Sequence, residues 1–156
     1  MTAEQSGAAP ASAEGSWPEL DRLVEEIKAK RAEEQARQER QRAEALKMQQ
    51  DAEQAWQNLQ ARACLEEMAA KLAELGVIAR PVEVLPGSLS AAMEFSRLPR
   101  GETAIVRIDT APGRNGPRTT LQVQRGTQQL APVAITSNTN AELRHSLVEV
   151  AQKLLG

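Results

Sequence analysis

The sequence predicts an α+β fold: a long N-terminal helix of coiled-coil type, then a small antiparallel β-meander of four to five strands closed by a C-terminal helix. Three observations carry this. Between Trp17 and Leu75 there is no glycine, and the only proline, Pro18, stands where a helix would begin. From Val77 onward the spacing of apolar residues falls to two, the period of a half-buried strand. Finally, Thr139-Asn140-Ala141-Glu142 reads as a capping box ahead of apolar residues three to four apart.

Residues 1–15 are Ala, Ser, Gly and Pro with scattered acids, too poor in apolar side chains to offset ordering entropy, and are expected to form a disordered tail. Ser16-Trp17-Pro18-Glu19 is the first capping box, so the helix is expected to start at Ser16 and run to Gly76. Roughly 59 glycine-free residues make a rod about 88 Å long. The remaining residues cannot cover such a rod, which therefore needs a helical partner, a fold-back or solvent along its length.

Leu20, Leu23, Val24 and Ile27 share one face of the first turns. From Lys28 to Ala45 no apolar residue exceeds alanine; helix propensity and pairs such as Glu26/Lys30 and Glu33/Arg37 support a solvated spacer, with an alanine seam leading to Leu46. Trp56 and Leu59 form one later stripe, and Leu65, Met68, Leu72 and Leu75 another, about 120° further round the helix. Leu20, Leu23, Val24, Ile27, Leu46, Trp56 and Leu59 are thus the candidate oligomerisation residues. Leu65, Met68, Leu72 and Leu75 are the candidates for packing the rod against the head, residues 77–156.

In the head, Val82 to Leu85 reads as a short strand, Leu89 to Leu98 as a second, and Thr103 to Thr110 as a central one, being apolar on both faces. A Pro-Gly loop at residues 111–117 leads to a strand over 118–124. Arg125-Gly126 turns the chain into a last strand, residues 127–135, which Pro132 confines to an edge. Leu143, Leu147, Val150 and Leu154 stripe the closing helix, which is expected to cover one sheet face; the Met68 to Leu75 turns are expected on the other.

Composition narrows the function classes. Trp17, Trp56 and Phe95 are the only aromatic residues, which argues against a base-stacking surface or a large aromatic pocket. A single cysteine, Cys64, excludes an intrachain disulfide and a cysteine-rich zinc site, and His145 has no second histidine to join it on a metal. No catalytic residues, metal ligands or cofactor motif are read, and an enzyme is not expected. No secretory leader or membrane-spanning run is apparent, so the expected compartment is the cytoplasm.

Charge is divided: residues 1–76 hold 10 basic and 15 acidic side chains, residues 77–156 hold 9 and 6. Arg97, Arg100, Arg107, Arg114, Arg118 and Arg125 cluster in sequence as candidate anion-binding groups, since guanidinium matches phosphate geometry. The expected function is a non-catalytic interaction, scaffold or adaptor subunit. It would associate with itself through the rod and bind another protein through the head. The alternatives are a nucleic-acid-associated dimer using the arginines around residues 111–118, with weak binding, and a secretion or assembly chaperone.

Overall fold

A computed structural model describes the backbone of residues 9–156 and the side chains of residues 17–156. It is α+β: a long bent N-terminal helical segment, an antiparallel sheet and a C-terminal helix. The chain divides into two compact units, one up to Ala45 and one comprising Leu46–Gly156. Helix α1 (Ala9–Leu59) belongs to both.

The helix begins before the expected Ser16 start, so Pro18 lies inside it and leaves the carbonyl four residues earlier without its helical donor. The alanine-rich stretch from residue 9 is thus helical where a disordered tail is expected; residues 1–8 of that tail lie outside the described residues. Between Lys28 and Ala45 polar pairs line the surface. Arg37 bonds Glu34, three residues away, instead of Glu33, and Lys28 lies 3.8 Å from Glu25. Such exposed pairs are screened by water and contribute little, so propensity carries this stretch.

The expected single rod to Gly76 is broken at Gln60, a left-handed residue at φ 51°, ψ 47°. Helix α2 (Ala61–Ala73) starts directly after it. No glycine or proline marks the break; its cause is tertiary. The Leu59 carbonyl accepts the Asn140 side-chain amide at 2.7 Å, and the Cys64 N–H restarts the helical ladder on the Gln60 carbonyl at 3.0 Å. Leu59 itself is fully buried. Helix α2 is closed just beyond its end by Gly76, φ 86°, with the Val77 N–H on the Leu72 carbonyl at 3.2 Å and Val77 buried against the core, a Schellman closure.

Six strands follow: β1 (Ile78–Val82), β2 (Ser90–Ser96), β3 (Ala104–Ala111), β4 (Arg118–Arg125), β5 (Gln128–Gln129) and β6 (Val133–Ile135). All pairs are antiparallel, in the order β1-β2-β3-β4, with β5 and β6 both on β4. The expected last strand, residues 127–135, is therefore split, with Pro132 between its two parts. The first strand lies earlier than Val82–Leu85 because Pro81 is tolerated within it. The Thr110 N–H bonds the Leu89 carbonyl at 2.9 Å, so odd-numbered residues of β2 face β3 and even-numbered ones face β1. Pro81, opposite Met93, then turns its nitrogen to the free edge, where no donor is needed.

Within the unit Leu46–Gly156 both helices that follow the break cover the same face of the sheet. Ala91, Met93 and Phe95 of β2, Ala104, Val106 and Ile108 of β3 and Leu121 and Val123 of β4 form one buried cluster with Leu65, Met68 and Leu72 of α2 and with Leu143, Leu147, Val150 and Leu154 of helix α3 (Asn140–Leu155). At the edge of this face the Thr110 and Thr119 hydroxyls satisfy each other at 2.8 Å. Both helices thus pack on the same face, contrary to the expectation of one on each. The opposite face carries Arg80, Glu94, Arg107 and Gln122 in adjacent registers, groups that a covering helix would have to desolvate. The reading of β3 as apolar on both faces is corrected accordingly: Arg107 is exposed and Ile105 half-buried.

Helix α3 is capped by the Thr139 hydroxyl, which accepts the Glu142 N–H at 3.3 Å. The Glu142 carboxylate reaches past the cap to the Ser137 N–H at 2.6 Å, the Ser137 hydroxyl at 2.7 Å and the Thr136 hydroxyl at 3.1 Å. Hydrogen bonds from Ser137, then Thr136, hold its carboxyl below the ordinary carboxylate range.

Two outcomes are expected. Replacing Asn140 by Ala leaves the Leu59 carbonyl without its side-chain donor and should destabilise the protein by about 1–3 kcal/mol in urea unfolding; an unchanged midpoint would show that the break stands without it. Glu142 has a lowered folded pKa, so its stabilisation is present above the unfolded value near 4.5 and fades as pH falls through the folded one. Glu142→Gln should therefore be less stable than the parent at pH 7, with the gap closing toward pH 3 in parallel urea titrations.

Candidate interaction surfaces

Within the unit up to Ala45, α1 presents Trp17, Leu20, Leu23, Val24 and Ile27, with 52, 42, 51, 40 and 40% of their surface exposed. At 100° per residue they occupy an arc of about 120°. Glu19, Asp21, Glu25 and Glu26 lie around them, with Arg22 on the far side of the helix and Lys28 and Lys30 beside the stripe at its C-terminal end, Lys28 3.8 Å from Glu25. Leu46 is likewise exposed.

The other two candidate oligomerisation residues lie elsewhere. Leu59 is in the core of the second unit and Trp56 packs half-buried against that core, because residues 46–59 of α1 belong to the head and bury Ala52 and Ala55 as well. Of the candidate head-packing residues, Leu65, Met68 and Leu72 are buried in the cluster, whereas Leu75 is 66% exposed. It lies past the end of α2, where the chain is already turning toward Gly76.

The six arginines do not form one site. Arg97 and Arg100 sit in the β2–β3 turn, and Arg125 pairs with Ala104 at the same end of the sheet. Arg114 and Arg118 sit in and beside the β3–β4 loop at the other end, about 24 Å away along the eight residues of β3. Arg107 lies between them, its Nε 3.0 Å from both carboxylate oxygens of Asp109. Arg125 is structural: its side chain is 16% exposed, bonds Glu102, and donates from Nη1 to the Lys153 carbonyl at 3.1 Å, tying the last turn of α3 to the sheet.

The remaining feature, which sequence reasoning missed, is a groove of about 190 Å³ between α2 and α3. The contacts of Cys64 with Asn140 and of Glu67 with Arg144 place these helices side by side, running in the same direction. Met68, Leu72, Leu147 and Ala151 give the groove an apolar lining, and Val148 stands at it 55% exposed. Lys71 and the Glu67–Arg144 pair are its charged groups. That pair is bidentate, at 2.6 and 2.9 Å, and the Arg144 guanidinium holds the Glu67 carboxyl below the ordinary range. Arg144 Nε also donates to Asn140 Oδ1 at 2.7 Å. The signal in the sequence was Val148, an apolar residue beside the core stripe of α3 that widens its apolar arc.

Cys64 and His145 do not meet. Cys64 is buried with its sulfur 3.2 Å from the Asn140 amide, whereas the 76%-exposed His145 side chain lies 3.1 Å from Glu149. Among the described residues no three acidic, histidine or cysteine side chains are placed to share a metal ion, and no helix is long and apolar enough to cross a membrane. Comparisons with protein-family models, with curated proteins and with solved structures give no match.

Proposed function

We propose that the chain is a non-catalytic interaction or scaffold subunit of the cytoplasm, which associates with itself through α1 and binds another protein through its head. The observation that supports this is the exposed stripe Trp17, Leu20, Leu23, Val24 and Ile27: five large apolar side chains on one helix face, outside any core. Contiguous apolar surface of this kind marks an association site. The bare sheet face, with Arg80, Arg107, Glu94 and Asp109 among polar residues and the aliphatic Ile78, Val82 and Ile105, is the surface for a second protein.

At about 10 µM the protein should have a solution mass above that of one chain by light scattering. Burying each aliphatic side chain contributes about 1.5–3 kcal/mol, so Leu20→Ser, Val24→Ser and Ile27→Ser together should weaken association at least about 100-fold. Helix content by circular dichroism should change little, since these side chains are exposed. A parent protein that stays monomeric to about 100 µM would refute self-association.

A nucleic-acid role is the weaker reading, because the arginines are spread along the sheet and two of them are engaged in ion pairs. Duplex binding near 0.15 M salt should be slight, and Arg114→Gln with Arg118→Gln should leave folding intact. Submicromolar binding that this pair abolishes, with a log-log salt slope of roughly −0.9 per phosphate contacted, would reverse the ranking.

A further inference from the structure

We infer that the groove between α2 and α3 of one copy receives residues 17–27 of α1 from a second copy, an amphipathic helix seated in a helix-lined groove; this rests on the self-association proposed above and names its second surface.

The stripe is poorly suited to pairing with itself. Its face continues into Arg31, Glu34 and Gln38, so an apolar seam between two such helices ends after about three turns, too short for a stable coiled coil.

The groove offers what the stripe lacks. Leu20, Leu23, Val24 and Ile27 stand at i, i+3, i+4 and i+7, the anchor pattern of helices that bind in grooves, and Trp17 extends the stripe by one turn. They span about 15 Å of helix, and the lining of the groove from Cys64 to Leu72 spans about 12 Å of α2. The charged groups at the groove are two cations, Lys71 and Arg144, against one carboxylate, Glu67, which Arg144 already neutralises; in the complex Lys71 is left to meet the carboxylates Glu19, Asp21, Glu25 and Glu26 of the incoming helix, whose own cations beside the stripe, Lys28 and Lys30, lie at its C-terminal end. Val148, more than half exposed at the groove, gains cover.

The test uses the full chain and a fluorescein-labelled peptide of residues 16–30 as probe, read by polarisation, with solution mass measured in parallel. The peptide should bind, Val148→Glu should raise its dissociation constant at least tenfold and lower the mass of the oligomer, and Lys71→Glu should weaken binding about threefold or more. A peptide carrying Glu25→Lys and Glu26→Lys should recover affinity for the Lys71→Glu protein. This charge reversal decides the matter even if Val148→Glu fails to fold. If Val148→Glu and Lys71→Glu associate and bind peptide like the parent, while the Leu20, Val24 and Ile27 triple variant is monomeric, the groove is not the partner surface and self-association through α1 stands. If the triple variant also keeps its mass, both readings are overturned.

Discussion

The hydrogen bond from the Asn140 amide to the Leu59 carbonyl, 2.7 Å across 81 residues of chain, is the contact on which the architecture depends. A non-glycine residue in left-handed conformation costs on the order of 1–3 kcal/mol, and Gln60 has no turn chemistry to offset it. What offsets it is the surroundings of the break. Leu59 is fully buried, its carbonyl finds a donor in Asn140, and the Cys64 thiol, 3.8 Å away, adds a weaker one. Asn140 is itself oriented by Arg144, which is held by Glu67 on α2. One connected network therefore stops α1, starts α2 and aligns α2 with α3.

With both helices on one face, the sheet folds as a two-layer body whose other face meets solvent. Antiparallel sheets tolerate this when the open face is largely polar, and here the rows Arg80–Glu94–Ile105–Gln124 and Val82–Ala92–Arg107–Gln122 set charge and amide around three aliphatic residues. The free edge is blunted by Pro81, whose nitrogen points away from β2 and has no proton to offer a further strand. Pairing through β1 is thus interrupted at Pro81, although Ile78 and Val82 of that strand are exposed, as are Leu20, Leu23, Val24 and Ile27 on α1.

Arginine serves three different ends in the head. At Arg125 it is mostly buried and fastens the end of α3; at Arg144 it orients an asparagine; at Arg107 it lies on the open face beside Asp109. A run of like residues in sequence is therefore dispersed by the pleat and by the two ends of the strands into separate environments. This dispersal weighs against a polyanion surface, because phosphate recognition needs convergent cations.

Much of this was legible in the residues themselves. The glycine-free stretch, the Gly76 stop, the change to a period of two, the Thr139 cap and the apolar stripe of α3 are local patterns, and local conformational preference acts on neighbours whatever the tertiary context. The exposed face of Leu20 to Ile27 is of this kind too. The break at Gln60, the burial of Leu59, the placement of both helices on one sheet face and the groove between them were decided only by tertiary structure. Each depends on Asn140 or on an α3 side chain that lies about 80 residues away in sequence. A periodic pattern reports which face of a helix seeks burial, but the group that satisfies a broken helix carbonyl comes from wherever the fold brings a donor.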